Sequence, residues 1–73
     1  MFEIPKLQEA VLVYRTENGE AKGKLLRMDK FAALCGLSYD TINNTLTKGL
    51  NPSIKTLERI CRVLDKKIYE FYS

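Results

Sequence analysis

Met28-Asp29-Lys30-Phe31-Ala32-Ala33-Leu34-Cys35-Gly36-Leu37-Ser38-Tyr39-Asp40-Thr41-Ile42-Asn43-Asn44-Thr45-Leu46-Thr47 decides the fold, because two short helix-forming segments meet there at a glycine closely followed by a serine. Glycine accepts the left-handed backbone that closes a helix, so Gly36 is the expected stop of the first segment, 28–35. Ser38 is the expected cap of the next, 39–47, its hydroxyl accepting from a free first-turn amide while Leu37 fills the corner. Asp29 lies near the positive end of the first helix dipole, and Phe31, Ala32, Leu34 and Cys35 are available to a core. In the second helix Ile42 and Leu46, four apart, face inward, which leaves Tyr39, Asp40, Asn43, Asn44 and Thr47 to point outward.

Downstream, Gly49 and Asn51-Pro52-Ser53 end one helix and begin another, with Ser53 as the expected cap of 54–64. Ile54, Leu57, Ile60, Cys61 and Leu64 form an apolar stripe, which predicts that this helix lies under the other three. After Lys66 and Lys67, a last short helix over 67–72 offers Ile68 and Phe71 to the core and leaves Tyr69 or Tyr72 exposed. Upstream, Leu7, Ala10, Val11 and Tyr14 recur at i, i+3, i+4 and i+7, the stripe of an amphipathic helix over 5–17 with Pro5 in its first turn. A hairpin competes for residues 10–27: Val11, Val13 and Arg15 alternate with Leu12 and Tyr14, and Asn18-Gly19 is a strong two-residue turn before Lys24-Leu25-Leu26. The helix is the favoured reading, followed by a polar loop over 18–24. The expected fold is all-α, a single small five-helix bundle.

Seventy-three residues make one domain at most, near the size where only about 60% of the unfolded surface is buried. At 45% hydrophobic and 29% charged, with four Gly and two Pro, the composition is that of a folded chain rather than a disordered one. No apolar run approaches the roughly 20 residues that span a bilayer, and the acidic start Met1-Phe2-Glu3 is unlike a signal peptide, so no membrane association and a cytoplasmic location are expected. With no histidine and only two cysteines, a four-ligand zinc site cannot be assembled; Cys35 and Cys61 read as buried thiols, and no metal or cofactor is expected. The absence of histidine, of a phosphate-cradling glycine loop and of suitably spaced carboxylate pairs also argues against an enzyme.

The net charge of +3 is unevenly spread. Residues 1–20 carry Lys6 and Arg15 against Glu3, Glu9, Glu17 and Glu20, a balance of −2 that leaves +5 for the remainder. Around the paired helices Lys22, Lys24, Arg27, Lys30 and Lys48 face only Asp29 and Asp40. Such cations suit phosphate contact, although a solvated face has the same composition.

Two helices joined by a short glycine-containing turn are the arrangement in which the second helix enters a DNA groove. The pattern from Met28 onward resembles the Cro and CI-type repressor helix-turn-helix family, regulators of phages and bacteria built from five short helices. The matching residues are Phe31-Ala32, Gly36-Leu37-Ser38, Ile42, Gly49, Asn51-Pro52-Ser53, Thr56-Leu57, Ile60-Cys61 and Val63-Leu64, and the pattern that holds them, from Met28 to the C-terminus, spans roughly two thirds of the chain. The resemblance implies a lambda-repressor-like bundle and a transcriptional regulator of double-stranded DNA, working as a homodimer because one small reading surface has limited specificity. By position it implies DNA contact by Met28, Tyr39, Asp40, Asn43 and Asn44. Where the family commonly has a glutamine, Met28 lacks a hydrogen-bonding group, and Asp40 brings negative charge towards the phosphates.

Asparagine is suited to direct readout, since one amide both donates to N7 and accepts from N6 of adenine. The candidate base readers are therefore Tyr39, Asp40, Asn43 and Asn44, and the candidate phosphate contacts Arg27, Lys30, Ser38, Thr41, Thr47 and Lys48. The same asparagines are also ordinary residues of an exposed helix face, Thr45 reads as a packing residue, and Tyr39 suits a protein interface equally well. A second function follows from Met28, Tyr39 and Asp40 on one face: a helix-turn-helix modulator or anti-repressor that masks a partner repressor's reader helix.

Overall fold

The computed structural model describes residues 1–20, 23–48 and 52–73, and among these every regular element is helical. Four α-helices, α1 (Ile4–Glu17), α2 (Met28–Cys35), α3 (Tyr39–Thr47) and α4 (Ile54–Leu64), are followed by one 3₁₀ turn, Ile68–Phe71. The fifth helix expected over 67–72 is thus a single tighter turn, whose Glu70 carboxylate accepts from the Lys67 amide at 2.7 Å.

The hairpin reading of residues 10–27 is overturned, because Ala10 to Glu17 continue α1 from its start at Ile4. The apolar stripe wins over the alternation: Leu7 and Val11 are fully buried, and Ala10 and Tyr14 pack at the edge of the core. Pro5 in the first turn loses no helix bond there. The sequence on either side of 18–24 is held by a reciprocal pair, the Leu26 amide donating to the Arg15 carbonyl at 2.9 Å and Arg15 Nε donating to the Leu26 carbonyl at 2.7 Å. Gly19 lies so close to the Lys24 carbonyl that a Cβ there would collide with it. At the ends of the chain Phe2 and Tyr72 form an isolated antiparallel bridge, their rings 5.4 Å apart.

The core joins Leu7 and Val11 of α1, Phe31, Ala32 and Cys35 of α2, Ile42 and Leu46 of α3, Leu57, Ile60 and Cys61 of α4, and Leu26 and Phe71 from outside the α-helices. Two apolar residues assigned inward are not in it. Leu34 is 56% exposed and Ile54 is 55% exposed, each at or next to the end of a short helix. Consequently α4 packs mainly against α1, α2 and the 3₁₀ turn, while α3 rests on α1 and α2 rather than being underlain by α4. Thr45 is buried, as a packing residue should be, and its hydroxyl donates to the Thr41 carbonyl at 2.9 Å. Among the described residues no helix is long and apolar enough to cross a membrane.

Candidate functional site

The joint between α2 and α3 is built from local chemistry. Gly36 adopts the left-handed conformation (φ 71°, ψ 29°), its amide donating to the Ala33 carbonyl at 3.0 Å and the Leu37 amide to that of Ala32 at 2.9 Å, so the last carbonyls of α2 are satisfied. Ser38 caps α3: the Thr41 amide donates to Ser38 Oγ at 3.2 Å. Leu37 between them packs against the core. From the far side of the bundle Arg59 of α4 donates to the Gly36 carbonyl at 3.3 Å. That brace is not legible in a window of sequence, since 23 residues separate the partners.

Burial of Ile42, Thr45 and Leu46 fixes the rotation of α3. Tyr39, Asp40 and Thr47 are exposed, and Asn43 and Asn44 half-buried, so the proposed readers share one accessible face. Their hydrogen-bonding capacities differ. Thr47 Oγ1 donates to Asn43 Oδ1 at 3.0 Å, which ties one lone pair of that amide to its own helix. Asn44 makes no side-chain hydrogen bond with any other described residue. Ser38 and Thr41 share a hydroxyl contact of 2.8 Å, leaving only their spare lone pairs or the remaining proton for a phosphate.

The cations divide similarly. Arg27 lies 3.2 Å from the Asp29 carboxylate, and Lys30 is paired with Glu20. The Lys30 hydrogen bond holds the Glu20 carboxyl below its ordinary value. All four side chains are largely exposed, and exposed pairs are screened by water and weakly held, so a polyanion can compete for both cations. Lys48, at the C-terminal cap of α3, has no carboxylate partner among the described residues. Lys24 is exposed; Lys22, Gly49 and Asn51 lie outside the described residues. Met28 does not project freely from the start of α2, because its side chain is half-buried against the core.

Sequence reasoning passed over the exposed side of α4, where Lys55, Arg59 and Arg62 surround Glu58 in a shallow hollow. Helical spacing of 4 and 3 residues could have found it. Both thiols are buried, and burial pushes Cys35 up to about 11; Cys61 is raised by burial and by the nearby Glu70 carboxylate. Among the described residues no group of three or more His, Cys, Asp or Glu side chains comes together to hold a metal ion. Compared with models of known protein families, with curated proteins and with solved structures, the chain gives no match.

Proposed function

We propose that this chain is a sequence-specific regulator of the lambda-repressor-like helix-turn-helix class, reading the major groove of duplex DNA with α3 and working as a homodimer. The observation that carries this reading is the α2–α3 joint: Gly36 in the left-handed region, Ser38 as cap, and an α3 rotated so that Tyr39 is exposed and Asn43 and Asn44 are half-buried on the same accessible face. Asn44, whose amide bonds no other described residue, is the principal base reader; Asn43 contributes its Nδ2 and one lone pair. Lys48 is the first phosphate contact, and Arg27 and Lys30 join it by exchanging a surface carboxylate for a phosphate. Each phosphate neutralised steepens the dependence of log affinity on log salt by about 0.9.

Titration of a fluorescent random duplex by anisotropy over a salt series tests this. Binding at low salt that weakens as salt is added, followed by recovery of preferred sites in a selection, is the expected outcome; negligible affinity for every duplex at low salt overturns it.

A second reading draws on one observation, that Asp40 is exposed on the reading face without a cationic partner among the described residues while Arg27 and Lys30 already have carboxylates. That face then docks a basic partner protein, such as a repressor whose reader helix it masks. Capture of such a partner by the native chain and its loss with Asp40→Lys is the outcome this reading expects. An unchanged complex after substitutions across the face removes it.

A further inference from the structure

Two exposed faces of this molecule carry apolar side chains that nothing in the bundle covers, and their charges are opposite. On α1, Leu12 and Val13 are 51% and 49% exposed and lie between the exposed carboxylates of Glu9 and Glu17. Lys6, the nearest cation on that helix, is drawn towards the N-terminus by Glu3, 3.0 Å away. On the other face, the end of α4 and the 3₁₀ turn enclose an open groove with Ile68, Tyr69 and Tyr72 on its walls and Arg62 and Lys67 among its lining cations. Tyr69 is 74% exposed there. Glu58 also lines the groove, and Lys66 is 4.0 Å from Glu70, so Arg62 and Lys67 against Glu58 leave the groove one positive charge in excess.

The two faces are continuous. A second hollow, between α1 and the 3₁₀ turn, is bounded by Lys6, Glu9, Val13, Lys66 and Glu70, and Lys66 also borders the tyrosine groove; with Lys6 paired to Glu3 and Lys66 to Glu70, Glu9 is the carboxylate left over. An acidic apolar patch beside a basic apolar patch on one surface is self-complementary under a two-fold axis, because each patch then meets the other kind on its partner. We propose that a second copy of this chain is the occupant: around an axis near Lys66, the Glu9, Val13 and Glu17 face of one protomer packs on the Arg62, Lys67 and Tyr69 groove of its partner, and the reverse. A stable interface takes about 800 Å² from each partner. That is about a sixth of the 5030 Å² surface.

This names the surface for the pairing required by the reading above, and its test contains no DNA, so the two can fail separately. Sedimentation of the full chain over a concentration series is expected to show a species of twice 8.4 kDa. Glu9→Lys with Glu17→Lys, and separately Arg62→Glu with Lys67→Glu, are each expected to weaken association at least about tenfold. Combining all four substitutions restores the opposite charges in reversed order and is expected to recover the dimer. Because all four positions are exposed, helical circular dichroism should stay native, and Val13→Asp offers a second route to the monomer that leaves existing charges alone. A native chain that sediments as a monomer at every concentration overturns the proposal, as does a dimer indifferent to both charge-reversal pairs. A monomer whose groove instead takes an added acidic amphipathic peptide also overturns it.

Discussion

Arg59 and Gly36 meet across the bundle: the guanidinium donates to the carbonyl that lies in the turn between α2 and α3, and a Cβ on Gly36 would come within 2.8 Å of the same nitrogen. The glycine is therefore required by its positive φ, while the guanidinium, at the far end of a flexible side chain, would have to shift from an added Cβ. Gly36→Ala is expected to cost about 1–2 kcal/mol from the backbone alone. It also pushes the guanidinium off the carbonyl, so Arg59→Ala, expected to cost up to about 1 kcal/mol in the native chain, should cost little when Gly36→Ala is already present. Urea denaturation of the two single variants and the double variant reads this coupling, and strict additivity would remove the brace.

Leu57 and Ile54 stand one turn apart on α4 with opposite fates, the first fully buried and the second mostly exposed. Leu57→Ala is expected to lower stability by about 2–5 kcal/mol. Ile54→Ala should stay within about 0.5 kcal/mol of the native chain. Equal losses in chemical denaturation would return Ile54 to the core.

Cys35 couples stability to alkaline pH. Its folded thiol is pushed from 9.0 up to about 11 by burial, so the folded state keeps a proton that the unfolded state gives up. The stabilisation from this linkage is fully present below pH 9 and is lost as pH rises through about 11. Thermal denaturation of native chain and Cys35→Ala should therefore show a difference in midpoint that narrows over that interval. Thiol reagents should react with Cys35 and Cys61 slowly while the protein is folded.

Glu20 reports on Lys30. Because the lysine holds the carboxyl below its ordinary value of 4.5, the midpoint measured by carbon NMR in the native chain should rise towards that value in Lys30→Met. The favourable linkage is present above pH 4.5 and lost as acid carries the solution through the lowered folded value. Saturating duplex DNA, if it takes Lys30, should move the Glu20 midpoint in the same direction as the substitution.

Asn44 and Asp40 should separate specificity from affinity. Asn44→Ala is expected to cost about 1–3 kcal/mol on a preferred site and to relax the preference at one base pair. Asp40→Ala should instead strengthen binding to all duplexes by a similar factor, since it removes a charge that repels phosphates without adding a hydrogen-bonding reader. Competition titrations with preferred and random duplexes distinguish the two patterns.

The parts of the fold governed by neighbours in the chain are legible in the amino-acid sequence. Gly36, Ser38 and Ser53 act within one helical turn, and α2, α3 and α4 have the bounds their signals predict. What is not legible depends on partners far along the chain. The stripe of α4 does not reveal that its first member, Ile54, overhangs the bundle, and nothing local reveals that Leu34 finds no neighbour. The hairpin alternation of residues 11–15 is a local signal that packing of Leu7 and Val11 overrides. In the candidate site, the helical period places the amides of α3 outward but cannot distinguish Asn43, bonded to Thr47, from Asn44, whose amide bonds no other described residue. Nor can it foresee that Arg27 and Lys30 are matched with carboxylates.

The reciprocal pair between Arg15 and Leu26 acts as a belt buckle on the connection between α1 and α2. Residues added inside the buckle alter the length of a closed ring while α2 keeps its seat. Doubling such a ring costs only about 0.6 kcal/mol in closure entropy. The connection is thus the natural place to splice in a reporter peptide or a spectroscopic probe, at a site from which the α2–α3 joint would not feel the load.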